Sequence, residues 1–321
     1  MPPIGYHASH EQFAPSDLLT WVQTAAQAGF TAAMCSDHFA PWSEQQGESG
    51  FAWSWLGAAM QCTVLPFGVV NAPGWRYHPA IIAQAAATLA EMFPGRFWMA
   101  VGTGQALSEH ITGLVWPDKD ERNAHLKECV DVIRALWAGE TVRHRGRIQV
   151  HDAKLYTRPA RPPALIGAAL TPQTAEWVGG WADGLITINQ AGDQVRQVLD
   201  AFRRGGGEGK PRYLQVHLSY ARTEEEALQN AWEQWRTNVF ASSLAEELEM
   251  PEQFEAAARF VRPEDLTGHV RVSADVEQHL RWLREDLELG FDAIYLHNVG
   301  RNQPEFIEVF GKQVVPQLTR A

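Results

Sequence analysis

Short apolar, β-branched runs alternate along this chain with longer segments of helical period. Ile4–Ser9, Phe30–Ser36, Val64–Asn71 and Arg96–Gly102 read as strands. Helices are predicted between and after them. Pro15–Gly29 has proline at its start and glycine at its end. Ser54–Cys62 and Pro79–Phe93 follow, the latter with apolar residues at 81, 82, 85, 86 and 89. Asp118–Trp137 carries Leu126, Val130, Ile133 and Trp137 on one face. A β-hairpin is expected over Thr141–Val150, around Arg145-Gly146. The second half repeats the alternation with strands Ala164–Ala169, Asp183–Ile188, Arg212–Ala221 and Ala293–Asn298. Its helices are Pro172–Trp181, Asp193–Arg204, Glu224–Phe240, Leu244–Phe260, Asp275–Leu289 and a closing Pro304–Leu318, with Gly205-Gly206-Gly207 ending the second.

Eight strands each followed by helix imply a mainly parallel sheet. Eight units in 321 residues favour an α/β fold of the closed (β/α)8, or TIM-barrel, type with insertions. No linker or shift in composition divides the chain, so residues 1–321 are expected to form a single domain.

Composition narrows the class. Hydrophobic residues make up 45% and charged residues 20%, which excludes a mainly disordered chain. Basic and acidic side chains number 27 and 38, a net charge of −11, which argues against a nucleic-acid partner. The apolar stretch Val64–Val70 is far too short to span a membrane. Three scattered cysteines, Cys35, Cys62 and Cys129, give no disulfide framework and point to a reducing cytoplasm. The N-terminus lacks the basic and apolar regions of a signal peptide.

Barrel enzymes carry their chemistry in the loops after the strands. That rule selects Ser9–Phe13, Ser36–Trp42, Asn71–Tyr77, Gly102–Glu109, Gly167–Thr171 and His297–Gly300. His38 lies beside Asp37 and four residues before Trp42, a proton carrier with an aromatic wall. Taken alone, His38 is as readily a loop histidine with a satisfied hydrogen bond, and Asp37 a cap or turn residue. Gly102-x-Gly104 is not a dinucleotide fingerprint. Thr171-Pro172 starts a helix, where exposed N–H groups can hold an anion. His7 and His10 have H-x-x-H spacing without further ligands, so no metal site is expected. There is no P-loop and no G-x-S-x-G elbow. Glu11 and Glu109 could form a glycosidase pair, a minor alternative.

The segments GYHASHEQFAP (5–15), SDHFAPW (36–42), RYHPAIIAQAAATL (76–89), VGTGQALSE (101–109) and WADG (181–184) carry a resemblance. The chain resembles the bacterial luciferase-like superfamily of flavin and deazaflavin oxidoreductases, closest to its branch of glucose-6-phosphate dehydrogenases that use coenzyme F420. The resemblance runs almost end to end. It implies a ring cofactor at the barrel mouth, with Asp37 and His38 at the ring and His38 close to the hydride-transfer centre. Trp42 matches an aromatic that stabilises the reacting complex, and Glu11 an active-site carboxylate. Val69-Val70 matches a cis peptide bulge behind the ring. Thr103, Gly104 and Ser108 match cofactor contacts. Gly167, Ala168, Ala169 and Leu170 match the turn around the cofactor phosphate, although the family's paired glycines are here Ala169-Leu170.

Other departures bear on function. The family's acidic Glu after strand four is here Gln105, which keeps hydrogen bonds but gives up no proton. The positions matched to its sugar-phosphate clamp hold Ile188, Ala191, Ala256 and His269. The expectation is a flavin-type oxidoreductase, monooxygenase or reductase, of a subgroup that uses FMN, with F420 the alternative cofactor. Its substrate would be a non-phosphorylated, apolar or aromatic small molecule walled by Trp42, Trp53, Trp75 and Tyr77. His38 would be the proton donor or a residue that tunes the cofactor's electronics, since histidine exchanges protons near neutral pH. A non-catalytic flavin-binding protein is the rival from another class. No membrane partner is expected, and a homodimer is allowed.

Overall fold

The computed structural model describes residues 2–319. Eight parallel strands close into a barrel: β1 (Ile4–Ala8), β2 (Ala32–Ser36), β3 (Phe67–Asn71), β4 (Phe97–Val101), β5 (Ala164–Ala168), β6 (Gly184–Ile188), β7 (Arg212–Ser219) and β8 (Ala293–Asn298). Each pairs with the next in sequence, and β8 returns to β1. The (β/α)8 architecture expected from the alternation is the one observed.

Strand residues alternate between two cores. Outward side chains such as Phe67, Val69, Met99 and Leu165 pack under the helical ring. Inward ones, including Met34, Trp98, Ala100, Ile166, Ile186 and Tyr295, fill the barrel. Trp98 donates its indole N–H to the Tyr295 hydroxyl at 3.1 Å across that interior. The room for it comes from Gly68, where a Cβ would fall 1.9 Å from the Trp98 ring. The barrel is therefore solid below, and the space for chemistry is at its C-terminal mouth.

Capping chemistry sets the helix starts. Proline occupies the first turn of Pro15–Gln27, Pro79–Met92 and Pro172–Gly179. Asp118 accepts from the Glu121 N–H at the start of Lys119–Ala138, and Thr223 from the Glu226 N–H before Glu224–Trp235. The hairpin forms from Val142–Arg145 and Gln149–Ala153.

Three predicted helices are shorter or broken. The 244–260 helix is two pieces, Ser242–Ala245 and Pro251–Ala257, because Pro251 has no N–H and disfavours helix before it. The closing helix runs Gln303–Gln313 and restarts at Val315–Thr319, since Pro316 withholds an N–H from the preceding turn. The 224–240 helix stops at Trp235 and tightens over Arg236–Asn238. The sequence pattern missed the short helix Ala106–Glu109 and the strand Arg271–Val272, which extends the sheet beside β7.

The cis Val69-Val70 bulge expected from the resemblance is absent. No peptide bond among the described residues is cis, and β3 keeps unbroken register with β2 and β4. A trans bond avoids the roughly 3–4 kcal/mol of a non-prolyl cis bond and leaves both ladders intact. No helix among the described residues is long and apolar enough to cross a membrane. Cys35, Cys62 and Cys129 are all free.

Candidate active site

Two adjoining cavities, of about 740 and 620 Å³, open at the barrel mouth. Their shared wall is built by Ser36, His38, Trp42, Gln105, Ile188 and Gln215. The first lobe runs past Gly102–Gln105, Ala168–Thr171 and the start of the helix Pro172–Gly179. The second is floored by His7, His217 and His297 and walled by Trp235 and Phe240.

His38 and Glu11 meet at the junction. His38 Nδ1 bonds Glu11 Oε1, and Glu11 Oε2 accepts from Ser9 Oγ at 2.9 Å. Glu11 is buried. Burial by itself would push this carboxyl up, but the hydrogen bond and charge of His38 outweigh it and hold Glu11 down at about 2. Glu11 is thus an acceptor-only carboxylate. It fixes the proton of His38 on Nδ1 and leaves Nε2 without a protein partner among the described residues. The Trp42 ring meets His38 edge-on at 5.3 Å and is backed by Phe254 at 5.4 Å.

Asp37 sits behind this pair in a buried charge cluster. Its carboxylate takes Arg76 Nη2 at 3.1 Å, the Trp53 indole N–H at 3.2 Å and the Tyr77 hydroxyl at 3.4 Å. Glu109 takes the other arm of Arg76 at 2.5 Å, together with the Arg76 backbone N–H at 3.1 Å. Burial pushes both carboxyls up, and one guanidinium only partly offsets it. Glu109 is therefore committed to Arg76, which removes the glycosidase pairing with Glu11.

The loop after β4 is shaped by Gly104, whose φ is +83°. A Cβ there would lie 3.0 Å from Glu109 and 3.2 Å from Ala72. Thr103 Oγ1 accepts from Lys119 Nζ at 3.1 Å, and its carbonyl from the Trp75 indole at 3.2 Å. Ser108 Oγ accepts from the Phe39 N–H at 3.0 Å, tying this loop to the His38 loop.

Of the residues selected from the sequence, Asp37, His38, Trp42, Val70, Thr103, Gly104, Gln105, Ser108, Ala168, Ala169 and Leu170 line the first lobe. Glu11, His38, Trp42, Gln105 and Leu170 line the second. Val69 points into the outer core. Gly167 faces the following helix, where a Cβ would strike Val178 at 2.2 Å. Ile188, Ala191 and His269 line the second lobe, whereas Ala256 does not.

The expected aromatic wall is corrected. Trp53 and Tyr77 buttress Asp37, and Trp75 stacks on His125 at 4.0 Å. These rings hold the wall from behind. The rings that line the lobes are Trp42, Trp116, Trp235 and Phe240. Sequence reasoning passed over Trp235, His217 and Asn189. Their positions follow from strand ends and a helix end that only the closed barrel brings together.

The first lobe fits a planar heterocycle with a polar edge. Asn71 Oδ1 and Thr187 Oγ1 are buried there with no partner among the described residues, an acceptor and a hydroxyl awaiting a ligand. Its volume is in the range of cofactor sites.

Two lobes at the mouth of a closed parallel barrel, with a carboxylate–histidine pair between them, place the candidate site where barrel enzymes carry theirs. The chain belongs to the luciferase-like monooxygenase family, whose model matches residues 2–293. It is 36% identical over 329 residues to an F420-dependent glucose-6-phosphate dehydrogenase of Kribbella flavida, covering 99% of this chain and 98% of that one. The corresponding enzyme of Nakamurella multipartita is also 36% identical, over 332 residues, covering 99% and 97%. Among solved structures, an F420-dependent secondary alcohol dehydrogenase in complex with an F420-acetone adduct superposes with a TM-score of 0.90 and 27% identity, covering 98% of both chains.

Proposed function

We propose that this oxidoreductase uses coenzyme F420, rather than the FMN expected from the sequence, to oxidise a neutral, non-phosphorylated alcohol or reduce the matching carbonyl compound. The curated relatives above and the solved alcohol dehydrogenase, each named for F420, support the coenzyme. The observation that carries the substrate class is the lining of the second lobe. Among the described residues it holds no lysine or arginine. A dianionic phosphate needs fixed cations or converging N–H donors to replace its water.

In this reading the coenzyme ring takes the first lobe, against Val70, Gly102–Gln105 and the unpartnered atoms of Asn71 and Thr187. The helix start at Thr171–Thr174 offers N–H groups to an anionic tail. When bound, the coenzyme supplies the hydride acceptor or donor. His38 Nε2 accepts the hydroxyl proton during oxidation and returns it during reduction. Glu11 keeps the imidazole in the required tautomer. Gln105 orients by hydrogen bonding but holds no transferable proton. Trp42 closes the junction against water.

The test is a steady-state assay of the purified protein with F420 or FMN and a panel of secondary alcohols, with glucose 6-phosphate beside them. Turnover of a neutral alcohol with F420, and none of the sugar phosphate, is expected. Efficient oxidation of glucose 6-phosphate, or tight binding of FMN with no binding of F420, would overturn the proposal.

A further inference from the structure

We infer that the floor of the second lobe is a hydroxyl-binding subsite, with His7 as its specificity-determining residue. The substrate then carries a second neutral hydroxyl besides the group that reacts. The inference rests on the proposed reading of this lobe as the substrate side.

His7 projects from β1 into the lobe and is only 3% exposed. Among the described residues, neither of its ring nitrogens has a hydrogen-bond partner. Burial holds its value down at about 4, against the opposing charge of Glu11, so the ring there is neutral. A neutral imidazole presents one donor and one acceptor. Leaving both unmet in a buried place is unusual, and it marks a position awaiting a ligand.

The neighbours cannot satisfy His7 because they are already engaged. His297 stacks on His7 with centroids 4.3 Å apart, so it presents a face and not a nitrogen. Gln12 uses its amide NH₂ on Gln234 Oε1 at 3.1 Å and on the Val299 carbonyl at 2.8 Å. Its oxygen must then accept from His297 Nε2, 2.9 Å away. Gln215 Nε2 donates to His217 Nε2 at 3.1 Å. Trp235 packs at 4.8 Å from both His217 and His297 and stiffens the floor. Glu11, the nearest charge, is taken by His38 and Ser9.

The ligand group follows from this donor set. An anion would find no fixed cation among the described residues of the lobe. An ammonium would leave the His7 donor unmet, since it accepts nothing. A hydroxyl both donates and accepts, and is neutral. It meets whichever ring nitrogen faces the lobe, accepting from the protonated one or donating to the other, without a charge to desolvate.

The experiment compares two ligands of one shape: cyclohexane-1,4-diol and 4-methylcyclohexanol, which differ by a hydroxyl against a methyl. Dissociation constants are measured by calorimetry with wild type, His7→Phe and His7→Asn, each first checked for folding by its thermal midpoint. Wild type should prefer the diol by about 10-fold or more, as sites built around a hydroxyl do. His7→Phe should keep the stack on His297 and reverse the preference. His7→Asn, which retains a donor and an acceptor, should restore it. A wild-type preference of nothing or for the methyl compound, no diol binding at all, or an unchanged preference in His7→Phe overturns the inference. F420-linked turnover of the same pair is read separately: its absence counts against the proposed reaction, while the binding preference alone decides the subsite.

Discussion

A single buried carboxylate decides which atom at the mouth moves a proton. Because Glu11 stays ionised down to about 2, it serves as the fixed acceptor behind His38, and the exchangeable position is His38 Nε2. His38→Ala should therefore lower the hydride-transfer rate by roughly 10²–10⁴-fold while changing F420 affinity little. Single-turnover kinetics beside a binding titration check this; equal losses in both would make His38 a packing residue. Arg76 plays a different part. It is buried between Asp37 and Glu109, so Arg76→Met strands two carboxylates and should cost about 3–5 kcal/mol in urea unfolding. A loss under about 1 kcal/mol would show that the cluster relaxes or takes up protons instead.

Elements carry the site through their ends. The turn after β4 puts Thr103 and Gly104 on the first lobe and Gln105 between the lobes, and Gly104 lies where a side chain is strained and crowded at once. Gly104→Ala should destabilise the fold by about 1–3 kcal/mol and weaken cofactor binding more than Gly113→Ala. Gly113 also has a positive φ, but nothing lies within 4 Å of its Cβ position. Comparing thermal midpoints and F420 titrations of the two variants separates backbone strain from lobe geometry. The segment 242–257 covers the mouth in pieces: the Ala106 N–H donates to the Glu246 carbonyl, and Lys119 Nζ to Glu246 Oε1. Its break at Pro251 lets Phe254 turn in behind Trp42.

At the scale of the whole molecule, the barrel buries neutral histidines, and this sets its response to acid. Burial pushes His7, His10 and His279 down to about 4 and His217 to about 3. Between those values and the ordinary 6.5, the unfolded chain binds protons that the folded one refuses. Stability therefore rises with pH across that window and is lost as pH falls through it, by up to about 1.4 kcal/mol per pH unit for each group. Glu11 acts in the same direction lower down, between its ordinary value and about 2. The thermal midpoint should fall steadily from about pH 6.5 to about pH 4.5; a flat profile would mean that the histidines are solvated or paired in solution.

The order and kind of elements are legible in the chain alone, because periods of two and 3.6 are local properties of neighbouring residues. The eight barrel strands lie within the predicted runs, with ends shifted by a few residues. The sequence also marked the mouth loops, since a residue at a strand's C-terminal end in a barrel has only one place to go. The tertiary structure decided what each candidate touches. Asp37 and Glu109 look alike in sequence to Glu11, yet a shared Arg76, contributed from the loop after β3, turns them into structural anions. Trp53, Trp75 and Tyr77 became buttresses, and Trp235 reached the second lobe instead. His7, His217 and His297 are far apart in the chain and meet only because β8 closes onto β1 and pairs with β7. Local patterns cannot encode such meetings, because hydrogen-bond partners and burial are set by barrel closure.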